Sequence, residues 1–145
     1  MITGALGLPE DARIVIPHAD DVGMCHGANQ AFMEVVGQGF VTTGSVMVPC
    51  PWFLEIADWV SGQDDVDLGV HLTLTSEWQH YRWGPLSTRS ATSGLLDADG
   101  YLPRRVPELR AGLDRVAAED EMRAQIERAM ASGIRPTHLD THMGA

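Results

Sequence analysis

Asp67-Leu68-Gly69-Val70-His71-Leu72-Thr73-Leu74 alternates with a period of two. Leu68, Val70, Leu72 and Leu74 fall on one face and Gly69, His71 and Thr73 on the other, which predicts a strand with one apolar face and one that carries a histidine. Two strand-then-helix units precede it. Arg13-Ile14-Val15-Ile16-Pro17 is a β-branched run that reads as a buried strand, delivering His18-Ala19-Asp20-Asp21 at its C-terminal end. After a turn at Gly23 to Gly27, Asn29, Phe32, Met33 and Val36 recur at helical steps up to Gly37 and Gly39. Val41 to Val48 reads as the second strand, broken by Pro49-Cys50-Pro51. Phe53, Leu54, Ile56, Ala57 and Val60 then describe a helix that stops at Gly62.

Beyond the central strand, periodicity disappears from Thr75 to about Pro107, a loop too long to be a mere connection and of the kind that carries function. Helical spacing returns over Ala118 to Ser132 through Met122, Ile126 and Ala129 and stops at Gly133. Pro136-Thr137-His138-Leu139-Asp140-Thr141-His142 reads as a fourth strand. This alternation predicts an α/β fold, a parallel sheet or barrel with helices outside. Residues 1–145 form a single, partial domain on this reading, because no helix follows to cover the last strand. An open edge of that kind predicts a homo-oligomer.

Composition narrows the partners. Twenty acidic residues against 10 basic ones give a formal charge of -10, which repels phosphate backbones and anionic lipid and argues against a nucleic-acid partner. No apolar run approaches the roughly 20 residues a membrane helix needs. The first residues lack the basic start of a secretory signal, so the expected compartment is the cytoplasm. Cys25 and Cys50 form no CxxC, and both read as ordinary thiols.

The Asp20-Asp21 pair, His71 and His142 all fall at strand ends or on inward faces, the places where parallel α/β folds gather their sites. Two imidazoles and one carboxylate supply three ligands to a divalent metal, with positions left for water and a substrate oxygen. The adjacent carboxylate can then act as base. In the long loop, Glu77, Arg82 and Trp83 are candidates for lining a sugar subsite, since aromatic rings stack on pyranose faces and arginine binds hydroxyl or carboxylate groups. A loop pinned by aromatic anchors would use the same residues.

His18-Ala19-Asp20-Asp21-Val22-Gly23, Val41-Thr42-Thr43-Gly44-Ser45-Val46-Met47-Val48, Gly69-Val70-His71-Leu72-Thr73-Leu74-Thr75 and Pro136 to His142 together resemble the YdjC-like (ChbG/HpnK-type) carbohydrate deacetylases. The resemblance spans roughly Ile14 to His142. It implies a distorted (β/α) TIM-like barrel, here truncated to about half, and removal of acetyl groups from N-acetylated sugars. It also implies one divalent ion, magnesium or zinc, held by Asp21, His71 and His142, with Asp20 as general base. Three features depart from the family pattern. His18 stands where asparagine is usual, as a donor to Asp20 or as a polar strand end. The second histidine of Asp-Ser-His-x-His is missing, and His138 is either a replacement acid or a structural hydrogen-bonding group. The chain is also short. Two other readings compete: a truncated metal- or carbohydrate-binding module without catalysis, and a PIG-L-type zinc deacetylase in which His18 would be a ligand.

Overall fold

The computed structural model describes residues 2–63 and 65–145. A short helix, α1 (Ile2–Ala5), precedes β1 (His18–Val22), α2 (His26–Gly37), β2 (Thr43–Val46), α3 (Phe53–Ser61) and β3 (Asp67–Leu72). An irregular segment with one 3-10 turn at Ala91–Ser93 leads to α4 (Val106–Gly112), α5 (Arg115–Ala131), β4 (Leu139–Thr141) and a 3-10 turn at His142–Gly144. The four strands are all parallel and lie in the order β1-β2-β3-β4. The expected α/β class holds. Among the described residues no helix is long and apolar enough to cross a membrane.

Register explains which side chains meet. His18 pairs with Thr43 and Thr43 with Asp67, Ser45 pairs with Gly69, and His71 pairs with Asp140. Parallel partners point the same way, so these residues give the sheet one strongly polar face. Leu68 and Val70 point the other way, into a core built with Phe32 of α2, Ile56 and Val60 of α3, and Ala129 of α5. Gly44 is required on β2, because a Cβ there would lie 2.6 Å from Phe32 Cε2.

The first expected strand is displaced. Residues 13–17 are irregular, and Val15 is 82% exposed; the strand begins at His18, where pairing with Thr43 begins. A β-branched run becomes a strand only where a partner offers its ladder, and the backbone of Thr42 and Thr43 reaches no further back than Pro17. Asp20 and Asp21 therefore lie within β1, not after it. The second and third strands are shorter than their apolar runs, ending at Val46 and Leu72.

The helix expected over 118–132 starts earlier, at Arg115, with Asp114 accepting the Ala117 N–H at its N-cap. Its inward face is also different. Ala118, Glu121, Gln125 and Ala129 are buried, whereas Met122 and Ile126, expected as core, are only half-buried. Polar groups turn inward because they complete unpaired backbone. Gln125 accepts the Thr73 N–H at 2.9 Å and donates to the Thr73 carbonyl at 2.7 Å, as a neighbouring strand would. Glu121 accepts the N–H groups of Leu86 and Ser87 and the Gln125 amide. The long loop thus folds against α5 around a second core of Met47, Leu74, Trp83, Leu95, Leu102 and Leu109.

Replacing Gln125 by leucine strands two buried backbone groups and is expected to cost about 2–4 kcal/mol. Arg123→Ala, on the exposed face of the same helix, should stay within about 0.5 kcal/mol. Urea denaturation of the two variants checks the difference.

Candidate metal centre

Neighbouring residues on a strand ordinarily point to opposite faces. In β1 the register with β2 slips between Ala19 and Val22, and Asp21 adopts a left-handed φ of 61°. The bulge lets both carboxylates reach His71: Asp20 groups with His71 and Asp140, and Asp21 with His71 and His142, with potential ligand atoms in each set within 4.8 Å of one another. Such backbone strain on a non-glycine residue costs about 1–3 kcal/mol and concentrates at functional positions.

Two buried imidazoles converge on Asp21. His71 aims Nε2 at Asp21 Oδ1, 3.5 Å away, and Nδ1 at Asp140 Oδ1, 2.7 Å away. His142, carried by the turn after β4, aims Nδ1 at Asp21 Oδ1 and Nε2 at Glu77 Oε2, each at 3.0 Å. Each ring therefore shows an outward nitrogen to a carboxylate and an inward nitrogen to Asp21. A carboxylate that takes the outer N–H leaves the inner lone pair free for a cation, the usual arrangement around metal-binding histidines. Two imidazole nitrogens and one carboxylate oxygen suit a divalent ion such as zinc. The residues present fit the group.

Charge in this cluster is mutually stabilised. The hydrogen bond from His142 holds the Asp21 carboxyl below its usual range despite burial. Burial would push His142 down, but its bonds to Asp21 and Glu77 prevail and raise it. For Asp140, burial pushes upward, and the hydrogen bonds from His71 and Ser45 outweigh it and lower the carboxyl.

Asp20 stands at the open side of the cluster, its side chain 63% exposed, with Oδ1 3.3 Å from His18 Nε2. The hydrogen bond of His18 Nε2 goes to Ser45 Oγ at 3.1 Å, and its approach to Asp20 is a contact without one. His18 lies outside the set around Asp21, and so does His138, whose Nδ1 meets Thr137 Oγ1 and whose ring edge covers Gly69. Glu77 sits against His142. Arg82 donates to Ser76 Oγ, Asp97 Oδ2 and the Leu102 carbonyl. Trp83, 2% exposed, donates its indole N–H to the Thr75 carbonyl. Neither of the last two offers a free face or head group to a sugar; both brace the loop. Asp140 and Ser45 were missing from the sequence-based set. Asp140 could have been found from its place two residues before His142, where a strand returns to the same face.

A family model described as YdjC-like protein matches residues 13–145. The chain belongs to this family. A relative from Thermus thermophilus, named carbohydrate deacetylase, is 41% identical over 133 residues, covering 92% of this chain and 45% of its own length. The carbohydrate deacetylase of Geobacillus stearothermophilus is 32% identical, with 90% and 49% covered. The crystal structure of an Enterococcus faecalis protein, described as a "putative cellobiose-phosphate cleavage protein", superimposes with a TM-score of 0.78 at 30% identity, over 90% of this chain and 48% of that one. The chain spans about half the length of the relatives it matches. Membership in the YdjC-like family decides against the PIG-L-type reading.

Zinc binding near neutral pH is expected to release about one proton, because both nitrogens of His142 face carboxylates and its raised affinity for a proton competes with the metal. Affinity therefore rises with pH through a midpoint above the ordinary histidine value. Calorimetry in buffers of different ionisation enthalpy checks this; a buffer-independent heat contradicts it. Glu77→Gln and Asp140→Asn should each weaken zinc binding about 10–100-fold, read by the same titration.

Proposed function

We propose that the chain carries the metal-bearing half of a divalent-metal-dependent carbohydrate deacetylase, which hydrolyses the acetamide of an N-acetylated sugar. The observation that carries this reading is the convergence of His71 and His142 on Asp21 with a second, exposed carboxylate beside them. It stands in a chain whose relatives are named carbohydrate deacetylases. Four parallel strands in sequential order, together with the shared length, support a (β/α) barrel of which this chain supplies about half.

Asp21, His71 and His142 would hold the ion. Bound there, a divalent cation supplies carbonyl polarisation and a lowered pKa for water. The chain's own groups do the rest. Asp20, exposed beside the two imidazoles, accepts the proton of the attacking water. The same proton passes back to the departing amine as the C–N bond breaks, giving a free amino sugar and acetate. Glu77 and Asp140 hold the two imidazoles in the tautomer that faces Asp21. Among the described residues β1 and β4 are both sheet edges, which supports self-association.

The test is acetate release from N-acetylglucosamine oligomers by the zinc-loaded protein. Asp20→Asn is expected to lower kcat about 10²–10⁴-fold while one zinc remains at Asp21, His71 and His142. Zinc retention without any acetate release by the unmodified protein overturns the hydrolytic reading in favour of a binding module. Sizing chromatography should give a dimer or larger.

A further inference from the structure

His18, His138 and Asp140 present one potential ligand atom each within 4.8 Å of one another, on the polar face of the sheet and apart from Asp21 and His142. His18 Nε2 is ringed by three oxygens at nearly equal distance: Ser45 Oγ at 3.1 Å, Asp20 Oδ1 at 3.3 Å and Asp140 Oδ2 at 3.3 Å. A single N–H points at one acceptor, so such a ring of oxygens around one nitrogen is better matched to donors arranged about a shared centre. His138 adds an independent sign. Its Nδ1 meets Thr137, while its Nε2 is buried without a hydrogen-bond partner, an arrangement that costs stability unless something fills it. Gly69 makes room for that ring, since a Cβ there would lie 2.5 Å from His138 Nε2.

Charge points the same way. Asp20, Asp21, Glu77 and Asp140 place four carboxylates around this face, and among the described residues no arginine pairs with any of them. The sequence contains no lysine. One divalent cation balances half of that charge; two balance it.

We propose that His18, His138 and Asp140, with Asp20 at the rim, form a second cation site for a zinc-class divalent ion. Imidazole donors favour zinc, cobalt or nickel over magnesium. Asp140 joins the two sites, since its Oδ1 meets His71 and its Oδ2 meets His18 and Ser45. The site does not depend on the deacetylase reading.

Titrating the metal-free chain with zinc alone is expected to give two equivalents. His18→Asn and His138→Ala should each bind one, and Asp21→Ala should also bind one, with circular dichroism confirming that each variant is folded. His18→Asn exchanges one polar side chain for another at a partly exposed position and serves where His138→Ala fails to fold. A single equivalent in the unmodified chain, two equivalents persisting in His18→Asn, or loss of both on that substitution overturns the second site. The first site fails separately, if Asp21→Ala leaves the count unchanged.

Discussion

Two imidazoles lie buried at the mouth of a parallel sheet, and the arrangement holds because every one of their ring nitrogens faces an oxygen. Asp21 receives both inner nitrogens, while Asp140 and Glu77 receive the outer ones. Removing the Asp21 or Glu77 oxygen would leave a nitrogen of the buried His142 ring without a partner, whereas His71 Nδ1 would keep Ser45 Oγ at 3.1 Å. The bulge in β1, the register of β3 on β4 and the turn at His142–Gly144 all serve this one convergence. Its side chains come from positions 21, 71, 77, 140 and 142, so the cluster also ties β1, β3, the long loop and the end of β4 to each other.

The long loop is braced from both sides. Arg82 and Trp83 secure it from within, Glu121 and Gln125 secure it from α5, and Glu77 sits at its start against His142. The loop thus has a core of its own, and one of its polar side chains, Glu77, reaches the His142 ring.

Much of this was legible in the sequence because period-two alternation and glycine stops depend only on neighbours along the chain. The strand around His71 and the helices α2 and α3 could be read that way, while the choice of Asp21 from the Asp20-Asp21 pair to join His71 and His142 comes from the resemblance to the family. What could not be read depends on residues far apart. Residues 13–17 look like a strand in isolation, yet no ladder reaches them. Glu121 and Gln125 look like solvent-facing positions on a helix, yet they complete the backbone of Thr73, Leu86 and Ser87. Asp140 looks like one more acidic residue until its pairing with His71 places it behind the ring.

The left-handed backbone of Asp21 sets two demands against each other. Glycine would sit there without strain, so a redesign guided only by backbone comfort would choose it. That same exchange would delete the oxygen toward which both rings turn. Backbone comfort and competence at the cluster are therefore opposed at a single residue, and any reworking of this scaffold has to leave position 21 as uncomfortable as it is.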